Sequence, residues 1–267
     1  MRITGRTRIM FILAHAVDHI VGSDVLNKAF EADSLDIAVS PLSVAPEDLA
    51  AMVAMIRKLD NVAGFGVTIP HKTVVARYLD AITPQAEAIG AVNFVRRDAD
   101  GRLTGHNIDG EGFIAGLRRH AVEPKGMRVL QVGAGGVGKA IAHALAADGV
   151  RSIDLVNRDH ARAEQLAQAV GNRFPHVQIT TWANMSDIPD RAFDLTVNAT
   201  ALGMREGDLL PVPARFIDQG TAVAEVVMRP PVTPLLAMAA AKGCRTIPGA
   251  AMMEPQPALV ARFLGLA

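Results

Sequence analysis

Apolar residues recur along this chain in two alternating rhythms: short continuous runs, and stripes spaced three and four residues apart. Runs at residues 9–17, 36–39 and 64–69 read as strands, and the last stops at Pro70, which has no N–H to give a ladder. Between them, Val25, Leu26, Ala29 and Phe30 share one helical face, with Ser23 or Asp24 placed to cap it. Leu49, Met52, Val53 and Ile56 share another, behind Pro46-Glu-Asp-Leu, where proline suits the first turn. Helices are predicted over 71–79 and 84–89, the second closed by Gly90. Runs at 91–95 and 102–105 flank Asp98-Ala-Asp-Gly101, a hairpin signal with glycine at the turn. Another helix begins at Asp109 and runs to Leu117.

The strongest pattern follows a Glu123-Pro-Lys-Gly126 linker. The run Arg128-Val-Leu-Gln-Val enters Gly133-Ala-Gly-Gly-Val-Gly138, and an alanine-rich helix continues to Ala147. Gly133, Gly135 and Gly138 have the spacing of a dinucleotide loop. The first allows the tight turn, the second lets backbone approach a pyrophosphate, and the third lets helix pack on strand. The new helix N-terminus aims unpaired N–H groups at the phosphates. Gly133, Ala134, Gly135, Gly136, Val137 and Gly138 are therefore the predicted cofactor loop. Strands at 152–156, 177–180, 193–197, 222–227 and 244–247 alternate with helices at 159–170, 235–242 and 252–264. The chain is thus α/β throughout, one small α/β unit preceding the glycine loop and a larger one containing it.

Lysines plus arginines equal aspartates plus glutamates, so no basic excess argues for nucleic acid. No apolar run reaches membrane-spanning length, and His15 and Asp18 interrupt the one stretch that imitates a signal peptide. The single cysteine, Cys244, excludes an intrachain disulfide and reads as a small buried apolar residue. A cytoplasmic protein, monomer or homodimer, without a metal site is expected.

Three polar stretches stand at strand ends or loops of the first unit, where ligand contacts concentrate: Val67-Thr-Ile-Pro-His-Lys72, Ile89-Gly-Ala-Val-Asn93 and Gly105-His-Asn-Ile-Asp109-Gly110. With Val132-Gly-Ala-Gly-Gly136, Asn157-Arg158, Asn198-Ala-Thr-Ala-Leu-Gly-Met204, Thr233-Pro-Leu-Leu and residues 249–256, they resemble the shikimate dehydrogenase family, collinearly and over nearly the whole chain. The resemblance implies an N-terminal α/β substrate domain over 1–108, completed by the C-terminal segment 244–267. A Rossmann domain then covers 109–243, with the active site in the cleft between them. It further implies reversible hydride transfer between a nicotinamide cofactor and a ring hydroxyl of a shikimate-like cyclic acid.

Lys72 and Asp109 match the family's catalytic pair. Oxidising an alcohol needs a group that takes the hydroxyl proton; burial makes a lysine a better base, and a nearby carboxylate has the opposite effect. Either of the two can be the formal base. Thr68, Asn93 and Gln256 match positions that hydrogen-bond the substrate. Taken singly, Lys72 reads as a solvated lysine, Asp109 as a helix cap and Asn93 as a strand-edge hydrogen bonder; their joint occurrence argues for function. His71 reads as a structural hydrogen bonder, and His106 receives no role.

At the end of the second Rossmann strand, Asn157, Arg158 and Arg162 favour NADP over NAD, since arginine forks a phosphate and no acid stands at the ribose position. Asp159 departs from the threonine common in NADP-type members, which keeps NAD as the alternative. Thr200 and Met228 complete the expected cofactor contacts, Met228 standing where the family commonly has tyrosine. Where the family shows H-S-x-S-P, this chain has His19-Ile-Val-Gly-Ser23, so Ile20 and Gly22 replace the serines that hold a carboxylate and Ser23 is displaced by one place. The resemblance is to a divergent member, with a quinate or other cyclic-polyol dehydrogenase and a non-catalytic NADP-binding sensor as alternatives.

Overall fold

The computed structural model describes residues 2–18, 20, 22–68 and 70–266. The chain divides into two compact units, Met1–Ile108 with Gln256–Ala267, and Asp109–Pro255.

The first unit holds β1 (Arg8–Ala14), α1 (Gly22–Ala32), β2 (Ile37–Ser43), α2 (Leu49–Ile56), β3 (Val62–Val67), β4 (Ala81–Ile82), α3 (Pro84–Ile89), β5 (Phe94–Arg97) and β6 (Leu103–His106). Its sheet runs β2-β1-β3-β5-β6-β4, with β1 parallel to both neighbours and the β5–β6 hairpin antiparallel, as the turn signal predicts. The period of two sorts each strand's side chains between two cores. Leu13, Phe65 and Leu103 pack with α2, while Met10, Ile12 and Phe94 pack with α1.

Several predicted bounds shift. The helix expected over 71–79 is two short 3-10 turns, His71–Thr73 and Val75–Tyr78. Pro70 precedes them and β-branched Thr73, Val74 and Val75 crowd the helical χ1 well. Helix α1 starts at Gly22, so Ser23 lies in its first turn rather than ahead of it. Strand β2 runs on to Ser43. Strand β3 ends at Val67, leaving Thr68 beyond it, and Ile69 lies outside the described residues.

The second unit holds α4 (Asp109–Arg119), β7 (Arg128–Val132), α5 (Gly136–Ala147), β8 (Ser152–Val156), α6 (His160–Arg173), β9 (Gln178–Trp182), β10 (Leu195–Asn198), β11 (Ala222–Glu225), α7 (Pro234–Ala241) and β12 (Arg245–Ile247). Its six parallel strands run β12-β11-β10-β7-β8-β9, the doubly wound order in which chain direction across the sheet reverses between β7 and β10. Helices α4, α5 and α6 cover one face and α7 the other. Gly110 lets α4 lie against α5: a Cβ there would stand 2.6 Å from the Ala140 carbonyl oxygen.

The segment 244–255 differs from its predicted place. Strand β12 pairs with β11, and Ile247, Ala251 and Met252 enter the core of the second unit. Only α8 (Gln256–Phe263) returns to the first unit, where Val260, Ala261 and Leu264 join the core around Met10 and Phe30. Pro255 and Pro257 explain the late helix start, since proline suits only a helix's first turn. Among the described residues no helix is long and apolar enough to cross a membrane.

Candidate functional site

In the second unit the site is built on the glycine loop. Gly133 has a φ of 110°, and a Cβ there would lie 2.5 Å from the Ala199 carbonyl oxygen. The end of β7 can therefore lie against the end of β10 only without a side chain. A Cβ at Gly138 would strike the Gly133 carbonyl at 2.3 Å, whereas Gly135 and Gly136 face open space. Gly135 caps α5 with no side-chain acceptor for its first-turn N–H groups. A phosphate is the natural partner for such a helix start. The backbone cradle, its open space and its uncapped donors fit a dinucleotide.

Two side chains brace this loop. Buried Gln131 donates to the carbonyls of Gly133 at 2.9 Å and Gly138 at 2.8 Å. Asn157 accepts from the Ala134 N–H at 3.0 Å and donates to the Asp159 carbonyl at 2.8 Å. Asn157 thus fixes the loop as well as facing it. A cavity of about 630 Å³ opens over Val132 and Val156 at the strand ends. Its walls include Asn157, Arg158, Thr200, Met204, Arg205 and Asp208.

The two predicted phosphate arginines separate. Arg158 lines the cavity. Arg162 is instead paired with Asp159 at 3.1 Å on the helix surface. Arg205 is the second arginine that lines the cavity. Its loop is folded by Asp208, whose Oδ2 accepts from the N–H groups of Gly203 at 2.9 Å and Arg205 at 3.0 Å. Those backbone donors hold the Asp208 carboxyl below its ordinary value. Met228 is partly exposed beyond β11 and does not line this cavity.

Sequence reasoning passed over Arg205, Gln131 and a buried acid, Glu225. Gln131 is a polar residue inside an apolar strand run, and that interruption was a usable signal. Glu225 hydrogen-bonds Asn198 at the ends of the adjacent strands β10 and β11. Burial pushes its carboxyl up to about 7 against the pull of Asn198 and the Val227 N–H. Only the sheet order places those two residues side by side.

In the first unit the predicted substrate residues sit on segments tied to one another. The Val67 N–H donates to the Asn93 carbonyl at 2.8 Å, and the Val92 N–H to the Lys72 carbonyl at 2.9 Å. Thr68, just past β3, donates its N–H to Leu13 at 3.0 Å. Asn93 is buried, and its Oδ1 accepts from the Ile108 N–H at 3.0 Å. Buried His71 donates from Nε2 to the Val44 carbonyl at 3.0 Å, which secures the turn carrying Lys72. His106 pairs with Thr83 Oγ1 at 2.8 Å and stacks near Phe263. Gln256 begins α8, and Ser23 lies in α1. Ile20 packs against the apolar core around Met10 and Phe30, and offers a ligand no hydrogen bond. His19 and Val21, in the same stretch, lie outside the described residues. Asp109 opens α4 in the second unit, where a carboxylate suits the helix N-terminus.

Comparison with known proteins agrees with both architectures. Residues 12–95 match the shikimate dehydrogenase substrate binding domain, and residues 117–201 match the shikimate / quinate 5-dehydrogenase model. The shikimate dehydrogenase (NADP(+)) of Geobacter metallireducens is 41% identical over 262 residues, covering 96% of this chain and 90% of its own. A crystal structure of shikimate 5-dehydrogenase from Listeria monocytogenes, in complex with shikimate and NAD, superposes with a TM-score of 0.90. It is 31% identical and covers 99% of this chain and 94% of its own. The ligand-free 5-ketofructose reductase of a Gluconobacter strain superposes at 0.89, also at 31% identity, over 98% and 94% of the two chains. From the glycine crevice, the collinear segments and these similarities together, the chain belongs to the shikimate dehydrogenase family of NADP-dependent oxidoreductases.

Proposed function

We propose that this chain interconverts 3-dehydroshikimate and shikimate, or a closely related cyclic hydroxy acid, with NADP(H). One observation supports the reading most: backbone bonds join the stretch carrying Thr68 and Lys72 to the segment carrying Asn93. When bound, the dinucleotide gives or takes the hydride. Gly133 to Gly138 would hold its pyrophosphate on backbone N–H groups and the start of α5. Arg158 and Arg205 would take the 2′-phosphate, which guanidinium groups bind well through paired N–H donors.

Lys72 and Asp109 together would take the substrate hydroxyl's proton in oxidation and return it in reduction. Positioned proton transfer of this kind is worth about 10²- to 10⁴-fold in rate. Thr68, Asn93 and Gln256 would hydrogen-bond the ring hydroxyls or carboxylate and fix which carbon faces the cofactor. Ser23 would contribute from the first turn of α1.

A second reading concerns the substrate. Ile20 and Gly22 give no hydroxyl where the family's serines hold a carboxylate, and Ile20 is packed into an apolar core. The similarity to a 5-ketofructose reductase supports an uncharged polyhydroxy ketone as the alternative. Steady-state turnover with shikimate, quinate and 5-ketofructose, each with both nicotinamide cofactors, separates the readings. The proposed function expects the highest kcat/KM on a cyclic acid with NADP. A preference for 5-ketofructose would replace it with the uncharged substrate. Tight NADP binding with no turnover on any of the three would make the protein a sensor.

A further inference from the structure

Glu225 ends β11 with only 1% of its surface exposed. Its two oxygens grip two different segments. Oε1 accepts from Asn198 Nδ2 at 2.6 Å, and Oε2 accepts from the Val227 N–H at 3.2 Å. Asn198 passes the connection on. Its Nδ2 also donates to the Leu202 carbonyl at 2.9 Å. Its Oδ1 accepts from the Thr200 N–H at 3.1 Å and the Thr200 hydroxyl at 2.6 Å. The Leu202 N–H closes the loop on Thr200 Oγ1 at 3.1 Å. Thr200 and Leu202 are walls of the crevice cavity, and Val227 leads directly into Met228.

We infer that Glu225 is a positioning residue for the dinucleotide: through Asn198 and Val227 its carboxylate orders the loop after β10 and the turn after β11, so cofactor affinity follows its ionisation. This rests on the reading of the crevice as the cofactor site. Both contacts use Glu225 only as an acceptor. The ionised form supplies two acceptor oxygens, whereas the neutral acid carries a proton for which neither contact provides an acceptor. Burial opposes ionisation, and the carboxyl is pushed up to about 7. Among the described residues, no charged side chain acts on it from β10, from the Thr200–Leu202 loop or from the Val227 turn; besides burial it feels the Asn198 amide and the Val227 N–H. The group therefore changes charge near neutrality. A ligand that favours the ordered loops also favours the carboxylate, and the coupling is reciprocal.

NAD is the better probe, because it has no 2′-phosphate titrating over the same range; NADP is the second. Binding to the full chain is followed by calorimetry at pH 7 in two buffers of different ionisation enthalpy, and as Kd between pH 6 and 8.5. Wild type is expected to release protons on binding and to bind about five-fold or more tightly at the upper pH. Glu225→Gln keeps the shape, loses one acceptor, and is expected to bind weakly with no proton release and no slope from this group. Absence of proton release in wild type, or an identical slope in the variant, overturns the inference. Should the variant not fold, proton release by wild type decides the matter alone. Failure of both dinucleotides to bind at any pH would instead overturn the cofactor reading itself.

Discussion

In the second unit, the candidate cofactor loop Gly133 to Gly138 is one continuous stretch of chain, with Gly135 and Gly136 facing open space. In the first, Thr68 and Lys72 come from one stretch and Asn93 from another, and backbone hydrogen bonds such as Val92 to Lys72 join the two. The first kind of site depends on close backbone approach, so a Cβ at Gly133 or Gly138 would collide with neighbouring backbone. The second depends on particular functional groups, so a truncation can remove chemistry and leave the fold standing. The glycine spacing is kept while Ile20 and Gly22 stand where the family shows serines: a side-chain hydrogen bonder can be exchanged, but a backbone cradle has nothing to exchange.

The largest test of this contrast is Lys72→Ala. It should lower kcat by about 10³-fold, near 4 kcal/mol in the barrier, while the NADP Kd and the melting temperature hold. Retained turnover would falsify the assignment of proton transfer. Next in size is the effect of pH on stability through Glu225, whose folded value of about 7 stands above its ordinary 4.5. The folded state then holds a proton that the unfolded state has lost. Its contribution is fully present below about pH 4.5 and disappears as pH rises through 7, a loss of about 3 kcal/mol. Urea unfolding of wild type should show that fall, and Glu225→Gln should flatten it; equal slopes would mean that the group is not buried as described.

Gly133→Ala turns to the backbone site. The added Cβ meets the Ala199 carbonyl at 2.5 Å in a left-handed backbone conformation, so dinucleotide binding should weaken about ten- to hundred-fold. Its substrate-side residues stay in place, which a fluorescence titration with NADPH against a shikimate titration can show. The smallest effects concern the phosphate. Arg158→Ala and Arg205→Ala should each raise KM for NADP about ten-fold relative to NAD. Arg162→Ala should change neither, because its guanidinium is paired with Asp159 on the surface. A larger effect from Arg162 than from Arg205 would reverse that assignment.

Strand and helix identities in the second unit were readable because each follows from local periodicity and glycine spacing, both contained within one strand–turn–helix segment. Misplaced bounds share a local cause: three β-branched residues after Pro70 break the 71–79 helix, and paired prolines delay α8. The partnership of Glu225 with Asn198 was not readable, since nothing local places residue 225 beside residue 198. Arg205 was hidden for the same reason, since only the fold brings its loop to the cavity that Val132, Val156 and Arg158 also line.

By itself the sequence determined the α/β class, the glycine cradle, the family and the types of group available for proton transfer and phosphate binding. These depend on residue identity and short spacing. Only the tertiary structure decided that residues 244–255, with β12, belong to the second unit, while α8 returns to the first as the resemblance implies. It alone also showed that Arg205 rather than Arg162 lines the cavity, and that buried Glu225 accepts hydrogen bonds from Asn198 and Val227. Each of these is a contact between residues distant in the chain, which strand order and core packing select and local preference does not encode.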